Sequence, residues 1–222
     1  YDPDEAIVIL GQIFRLGIEV LLRVGFSITT AHSDISPSIK QRSEQEITKA
    51  NKAVLELIKQ FEDGKLEAMP GLSTEETVEN KILEVLNKVR DKIGSLVFEI
   101  TDPQNSILIM ADSGAKGKKL NLTQMSSCVG QQAMKGGRIE KGYKGRTLSH
   151  FKVGDRTSAA KGFIEGGFKG GLKPHEFFFA AMTGRDSLMD TALRTPKSGY
   201  LYRRLANALQ DLKVEYDHTV RD

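Results

Sequence analysis

The residues of this chain that could take part in chemistry are few, and a glycine-lysine segment at 114–119 is the most suggestive of them. Its sequence, GAKGKK, invites comparison with loops that bind nucleotide phosphates. Such a P-loop requires glycine, four further residues, and then Gly-Lys followed by serine or threonine. Here the residue five positions before Gly117 is Asp112, and Lys118 is followed by Lys119. The sequence therefore predicts no P-loop, although the three lysines can meet phosphates without specificity.

The other reactive side chains lack the spacing of a catalytic or metal site. The histidines His32, His150, His175 and His218 lie far apart, without acidic or cysteine partners at ligand spacing. The single cysteine, Cys128, excludes an internal disulfide and a cysteine-based zinc cage, and we expect it to be a small buried residue on an apolar helix. We find no serine-histidine-aspartate arrangement and no aspartate cluster that would hold two magnesium ions. We therefore expect no metal or cofactor in this chain.

Charge is distributed unevenly along the 222 residues. Positions 1–109 carry 12 basic and 18 acidic residues, whereas positions 110–173 carry 13 basic and 4 acidic residues. The basic segment also contains 13 of the 21 glycines. A basic, glycine-rich chain suits close approach to nucleic acid or nucleotide phosphates, and the plainer alternative is a solvated basic loop region. The overall content, 39% hydrophobic and 27% charged, is ordinary for a soluble protein, and no apolar run approaches the roughly 18 residues that cross a membrane.

Helices are the elements that must position these residues. Asp2-Pro3 begins a first helix that should run to about Val24 and end at Gly25. A hairpin of two amphipathic helices follows at about 38–95, with a capping box at its second start, from Ser73 to Glu76. Its apolar seams have helical spacing: Ile47, Ala50, Val54, Leu57 and Phe61 in the first helix, and Val78, Ile82, Val85, Val89 and Ile93 in the second.

The region after the hairpin contains shorter elements. Asp102-Pro103 repeats the helix-start signal, so residues 104–111 should form a short helix, although the run ILIM is also compatible with a strand. Asn121 should cap another short helix that runs through Val129. From 130 to 171 the chain should be rich in loops, with short strands. The predicted fold class is mainly α with minor β, in which a helical hairpin is followed by a glycine-rich loop region and a long C-terminal helix.

That C-terminal helix should run from Pro174 to about 211. Its apolar residues recur at helical spacing: Phe178, Met182, Met189, Leu193, Leu201, Leu205, Leu209 and Leu212. It nevertheless contains Gly184, Pro196 and Gly199, and an interior glycine costs about 1 kcal/mol and an interior proline about 3 kcal/mol relative to alanine. Either bending belongs to the function of this helix, or surrounding protein holds it in place.

Two blocks of residues follow the pattern of a known family. The C-terminal block matches it at Glu176 to Phe179, Gly184-Arg185, Asp190-Thr191-Ala192, Ser198-Gly199-Tyr200 and Arg203-Arg204-Leu205. The upstream block matches it at Ser113 to Gly117, Asn121-Leu122 with Gln124, Val129 to Gln132, and Arg146-Thr147-Leu148 with His150-Phe151. These blocks resemble the bridge helix and the funnel region of the largest subunit of multisubunit DNA-directed RNA polymerases. The tail from Leu205 resembles the archaeal form, so we expect this chain to be a piece of a larger archaeal-type subunit.

The resemblance implies three regions and a set of site residues. Residues 1–110 would be funnel helices with the rim-like hairpin, 111–171 a basic funnel or pore segment, and 172–222 the bridge helix and the start of the cleft region. The implied pore residues are Lys116, Gln131, Gln132, Arg146 and His150. The residues near the template at the active centre would be Thr191, Ala192, Tyr200, Arg203 and Arg204, and the helix hinge would be Gly184, Pro196 and Gly199. The residue types alone also allow plainer roles. Gln131 and Gln132 could be ordinary turn residues, and Thr191 and Ala192 could be mid-helix residues without a special role. Tyr200, Arg203 and Arg204 could form a solvated basic helix end.

The implied function is to line the secondary channel through which nucleoside triphosphates enter, and to support template positioning and translocation in RNA synthesis. The implied partners are the second-largest subunit, the remainder of the largest subunit, DNA, RNA, nucleoside triphosphates and a transcript-cleavage factor. The implied location is the cytoplasm, and no membrane partner is implied. The family's catalytic aspartate motif is absent here, so Mg²⁺ would bind elsewhere in the complete nucleotidyltransferase. Pro196, Ala180 and Tyr202 depart from the family pattern. The alternative is a non-catalytic helical scaffold with a basic nucleic-acid-binding segment.

Overall fold

The computed structural model describes residues 2–140 and 142–222, and most of these residues are helical. Helices α1 to α6 span Pro3–Val24, Pro37–Glu62, Thr74–Ile100, Ser106–Asp112, Lys119–Ser126 and Pro174–Leu209, with a 3-10 turn at Thr30–Ser33. Strands β1 to β6 span Gly130–Gln131, Ala133–Met134, Gly137–Arg138, Phe163–Ile164, Lys213–Val214 and Val220–Arg221. They form three antiparallel pairs, β1 with β4, β2 with β3 and β5 with β6. The predicted class, mainly α with minor β, is confirmed.

The hairpin of α2 and α3 supplies most residues of the main hydrophobic core cluster. The buried hydrophobic residues of the hairpin are Ile39, Ile47, Ala50 and Val54 of α2, and Val78, Ile82, Leu86, Ile93 and Val97 of α3. The predicted seam in α3 is therefore only partly correct, since Leu86 is buried where Val85 and Val89 were expected, and these two valines are partly buried at its edge. Val78, Ile82 and Leu86 are spaced four residues apart, so their side chains form one continuous apolar stripe that packs against α2.

The predicted capping box begins α3 as expected. The Ser73 hydroxyl accepts the Glu76 backbone N–H at 3.2 Å, and the Glu76 carboxylate accepts the Ser73 backbone N–H at 2.9 Å. The bonds from the Ser73 backbone and hydroxyl lower the pKa of Glu76. Two backbone groups that a helix start leaves without partners are therefore satisfied by local residues.

The glycine-rich segment packs on α3 through β1 and β4. Gly130 pairs with Ile164 and Gln131 with Phe163. Gly130 has φ of +87°, and a Cβ there would lie 2.9 Å from the Cδ of Arg90 on α3. Only glycine combines that backbone conformation with such a close approach to a helix.

Both short helices begin at residues other than those expected. The predicted start at Asp102-Pro103 is a turn, in which the Asp102 carboxylate accepts the Gln104 N–H at 2.9 Å. The helix α4 is capped by Asn105, whose side-chain oxygen accepts the Ile107 N–H at 2.9 Å and whose amide nitrogen donates to the His32 carbonyl at 2.7 Å. The second bond is tertiary, and it selects Asn105 among several polar residues able to cap. The run ILIM is helical, so its strand alternative is wrong.

Helix α5 begins earlier and ends earlier than predicted. Asn121 lies inside it, where its side-chain oxygen accepts the Lys118 N–H at 2.7 Å, and the helix ends at Ser126. Cys128 therefore follows the helix instead of belonging to it, but it is buried as expected. Burial raises the pKa of its thiol to about 12. Because the folded state keeps this thiol protonated, its contribution to stability is present below the unfolded pKa of roughly 8.5 and declines as pH rises toward 12.

The first and last long helices pack little against the rest of the chain. Helix α1 ends at Val24 as predicted, and it has no buried residue although most of its side chains are apolar. Helix α6 continues for 36 residues through Gly184, Pro196 and Gly199, and only Glu176 and Phe179 are buried. Bending of this helix at its glycines and proline stays a prediction. No helix in the described ranges is both long enough and apolar enough to cross a bilayer.

We expect Ile82→Ala to lower the free energy of unfolding of this chain by about 2–5 kcal/mol, because the residue is completely buried between α2 and α3. Urea denaturation followed by helical circular dichroism measures this loss. The matched control is Leu55→Ala, since Leu55 lies in the same hairpin but is 54% exposed. Equal losses for the two variants would contradict the seam described above.

Candidate functional site

A buried ion pair joins the basic segment to the acidic side of α3. The Arg138 side chain is 1% exposed, and its Nη1 donates to the Glu79 carboxylate at 3.0 Å. Its Nη2 donates to the carbonyl oxygens of Arg156 and Thr157 at 3.1 and 2.8 Å. Burial lowers the pKa of Arg138, and the charge of Glu79 acts in the opposite direction. The guanidinium thus holds the β2–β3 pair and the 156–157 loop against α3.

Glu79 is the centre of a wider group of charges. Besides Arg138 it lies 3.7 Å from Arg156 and 3.8 Å from Lys161. Arg156 also pairs with Glu75 at 3.2 Å. Three cations from the basic segment therefore converge on one carboxylate of α3. Sequence reasoning missed this group, because no local signal relates Glu79 to a residue 59 positions away.

Ion pairs within the protein therefore neutralise part of the positive charge of the basic segment at 110–173. Six of its basic residues form ion pairs with described residues: Lys119, Arg138, Arg156, Lys161, Lys169 and Lys173. Six others have no ion pair within residues 2–140 and 142–222: Lys116, Lys118, Lys135, Lys144, Arg146 and Lys152. The surface able to attract phosphates is therefore smaller than the sequence charge implied.

A cleft of about 1050 Å³ lies beside the Glu79 group. Its walls are the start of α3, the β2–β3 turn, the loops from 145 to 156, and Asp186 of α6. Arg146, one of the expected pore residues, lines this cleft, whereas Lys116, Gln131, Gln132 and His150 are not among its lining residues. The structure therefore does not gather the five expected pore residues around one cavity.

The two glutamines expected at the pore have different surroundings. Gln131 is buried, and its amide nitrogen donates to the carbonyl oxygens of Gln132 and Lys161 at 2.8 and 2.7 Å. Gln132 is partly exposed, and its amide nitrogen lies 3.4 Å from the Gly130 carbonyl. Gln131 thus connects β1 to the loop before β4. The position of the pair on a channel wall stays a prediction.

Arg146 and the residues after it form a folded loop against the start of α6. The Arg146 Nη1 donates to the Ser149 and Phe151 carbonyl oxygens at 2.9 and 3.3 Å. The Phe151 ring is stacked with the Phe179 ring of α6 at a centroid distance of 6.4 Å. Arg146 therefore shapes the loop that holds α6, which is a structural use of a residue expected to face the pore.

His150 and His175 are close in space although they lie far apart in the sequence. Their ring centroids are 5.8 Å apart in an edge-on arrangement, and the His150 ring also contacts Phe151 at 4.1 Å. Within the described ranges, no three histidine, cysteine, aspartate or glutamate residues are grouped so that they could hold a metal ion. The histidine pair is part of an aromatic contact at the start of α6.

The expected template-contacting residues all lie on the exposed part of α6. These are Thr191, Ala192, Tyr200, Arg203 and Arg204. The Arg204 guanidinium lies over the Tyr200 ring at 5.4 Å from its centroid. Apart from the glycine, its chain neighbours and the adjacent backbone of α6, no described atom lies within 4 Å of where a Cβ would stand on Gly184 or Gly199. Packing within this chain therefore gives no reason for either hinge glycine.

Comparison with known protein families relates two consecutive parts of the chain to one protein. The family profile of RNA polymerase Rpb1, domain 4, matches residues 58–164, and that of domain 5 matches residues 171–222. The chain therefore belongs to the family of the largest subunits of DNA-directed RNA polymerases. Along its whole length it is similar to archaeal members of that family, which confirms the archaeal type predicted above.

The archaeal relatives carry the name DNA-directed RNA polymerase subunit Rpo1N. The chain is 48% identical to that of Halococcus morrhuae over 100% of its own length and 64% of the relative. It is 45% identical to that of Methanothermobacter thermautotrophicus, again over 100% of its length, and 43% identical to that of Sulfolobus acidocaldarius over 96%. The chain spans 26% and 24% of the last two relatives.

We expect Glu79→Gln to destabilise this chain by about 3–5 kcal/mol, because it leaves the buried Arg138 without its carboxylate. Denaturant unfolding measures the loss. The matched control is Glu75→Gln on the same helix, whose carboxylate is 71% exposed and should matter by less than about 1 kcal/mol. If the two variants unfold at the same denaturant concentration, Glu79 does not hold the basic segment in the way described.

Proposed function

We propose that this chain lines the channel through which nucleoside triphosphates reach the active centre of an archaeal-type RNA polymerase, and that α6 crosses the main cleft behind the nucleotide-addition site. The observation that carries the proposal is α6 itself. It is one helix of 36 residues, roughly 54 Å at 1.5 Å per residue, and only Glu176 and Phe179 near its start are buried. Membership of the polymerase family and the order of the two motif blocks support the same assignment.

A helix packed only at its beginning needs neighbours along the rest of its length. Its exposed residues include many large apolar side chains: Phe177, Phe178, Leu188, Met189, Leu193, Tyr200, Leu201, Tyr202, Leu205 and Leu209. Isolated apolar residues on a surface are normal, but so many on one helix indicate a partner surface. We propose that the remainder of the largest subunit and the second-largest subunit provide it.

The residues near the middle of α6 suit contact with a nucleic-acid template. Thr191 and Ala192 are small, so a base pair can move past this part of the helix. Tyr200, Arg203 and Arg204 follow within four turns, and arginine side chains suit the phosphate groups of a template strand. In this proposal the first pair faces the templating base, and the other three hold the strand that carries it.

The segment from Thr191 to Pro196 suits a hinge. Pro196 has no backbone N–H, so the Ala192 carbonyl lacks its helical partner. The hydroxyls of Thr191 and Thr195 donate to the Ser187 and Thr191 carbonyl oxygens at 3.0 and 2.9 Å, a pattern that often bends helices. We propose that bending here, together with Gly184 and Gly199, couples to translocation as a biased two-state element.

The chemistry of nucleotide addition would require groups beyond this chain. Nucleotidyl transfer uses two magnesium ions held by acidic residues. The described residues bring no three potential metal ligands together, so they do not fit such a site. The role proposed here is therefore to admit nucleoside triphosphates, DNA and RNA to the reaction and to position the template.

Exposed lysines such as Lys116 and Lys118 would favour the approach of triphosphates, and a transcript-cleavage factor would use the same channel.

The alternative, a non-catalytic scaffold with a basic nucleic-acid-binding segment, has weaker support. It rested on the excess of basic residues between 110 and 173, and half of the described ones are engaged in ion pairs. Arg138, which is buried, cannot contact a nucleic acid without unfolding the segment.

The central test is Ala192→Phe in a reconstituted complete polymerase. A phenylalanine would fill the space of the templating base, and overpacking of about 1–3 kcal/mol corresponds to a loss of roughly fivefold to somewhat more than a hundredfold in the rate of single-nucleotide addition. The matched control is Ala208→Phe near the end of the same helix, which should elongate at close to the normal rate. Normal elongation by the Ala192→Phe enzyme would refute the assignment of α6.

Pro196→Ala should alter the elongation rate and the duration of pauses. Alanine restores a backbone N–H and removes the ring clash, which shifts the balance between bent and straight helix by up to about 3 kcal/mol, or roughly a hundredfold in population. The affinity for triphosphates should change less, because Pro196 has no role in contacting the incoming nucleotide. Rates and pauses identical to those of the unmodified enzyme would exclude Pro196 as a hinge residue.

A further inference from the structure

Glu165 joins three elements that are far apart in the sequence. Its carboxylate accepts the Asn51 side-chain amide of α2 at 2.9 Å, and its backbone N–H donates to the Glu176 carboxylate of α6 at 3.1 Å. The side-chain oxygen of Asn51 accepts a hydrogen bond from the Ser158 hydroxyl at 2.6 Å. A continuous series of hydrogen bonds therefore runs from the middle of the hairpin, through the residue after β4, to the first turn of α6.

Glu176 is the member of this series that lies in the first turn of α6. It is 3% exposed, and its second carboxylate oxygen accepts the Lys173 backbone N–H at 2.9 Å. Both oxygens of a buried carboxylate are thus bonded to backbone N–H groups, one in its own helix start and one outside it. Hydrogen bonds to charged groups are shorter and stronger than neutral ones, so this attachment restricts both the position and the tilt of the helix.

The length of α6 makes its attachment important. A tilt of about 5° at the start of a helix of roughly 54 Å displaces its far end by roughly 5 Å. Apart from Glu176, the start of α6 contacts the preceding loop through Phe151, whose ring lies against Phe179 and His175. Such ring contacts are less directional than a hydrogen bond. A directional polar contact is therefore the feature that can set the angle.

We propose that Asn51, Glu165 and Glu176 form a polar relay that sets the orientation of α6 relative to the α2–α3 hairpin. These are positioning residues for template-directed nucleotide addition, so this inference rests on the function proposed above for α6. A displacement of the hairpin by a partner at the channel would reach α6 through the relay. The coupling is carried by hydrogen bonds between elements otherwise connected only through loops and packing, and it is measurable as an interaction between substitutions.

The test is a double-mutant cycle in the reconstituted complete polymerase. Asn51→Ala and Glu176→Gln should each lower kcat for single-nucleotide addition by about fivefold, the rate equivalent of one net hydrogen bond, while KM for the incoming triphosphate changes by less than about twofold. Because both substitutions interrupt one series, the double variant should be about as slow as the slower single variant. Independent effects would instead multiply to about twenty-fivefold.

Matched variants separate the relay from general damage. Glu165→Gln keeps an acceptor for Asn51 and the backbone N–H for Glu176, so it should retain a nearly normal kcat, whereas Glu165→Ala should be about fivefold slower. Lys52→Ala changes the exposed neighbour of Asn51 and should have no effect. If Glu176→Gln prevents assembly, Asn51→Ala combined with Glu165→Ala completes the cycle on partly exposed residues.

Three results would overturn the relay: multiplicative effects, single variants as fast as Lys52→Ala, or a kcat that falls only in proportion to the fraction of assembled enzyme. The Ala192→Phe enzyme, measured alongside, distinguishes the two proposals. If it is defective while the relay variants are normal, only the relay fails. If it elongates normally, α6 does not contact the template and the proposed function fails with it.

Discussion

The other packed parts of the structure are arranged around helix α3. Five of its aliphatic side chains are completely buried: Val78, Ile82, Leu86, Ile93 and Val97. One side of α3 closes the hairpin with α2, and the glycine-rich segment lies against its remaining surface through β1 and the β2–β3 pair. Burial of five large aliphatic side chains supplies on the order of 10 kcal/mol before the entropy of ordering is subtracted. The position of the basic segment, and through it that of the start of α6, depends on this burial.

The way in which the basic segment lies on α3 depends on charge as well. The acidic first half of the chain and its basic middle third are complementary within the molecule, with Glu79 of α3 receiving Arg138, Arg156 and Lys161. A buried ion pair contributes little net stability because two charges must lose water, but an unpaired buried charge is costly. We therefore expect the pairing to act mainly by excluding other arrangements of this loop-rich segment.

The sequence by itself determined the features that depend on residues a few positions apart. The mainly helical class, the end of α1 at Val24, the capping box from Ser73 to Glu76 and most of the hairpin seam follow from helical spacing and from hydrogen bonds within one turn. Family membership could also be inferred there, because the residues of each motif block lie within one limited stretch of the sequence. These predictions needed no knowledge of how the chain returns on itself, so local physical chemistry was sufficient.

Only the tertiary structure decided the features that join distant residues. Several polar residues near 102–121 were able to cap a helix, and the bond from Asn105 to the His32 carbonyl selected one of them. The pairing of Arg138 with Glu79, and the bond from Asn51 to Glu165 across 114 positions, depend on the path of loops whose glycines adopt positive φ. Such a path is set by the sum of many weak contacts. Sequence spacing contains no measure of that sum, and so the relay and the buried charges could be found only in the folded chain.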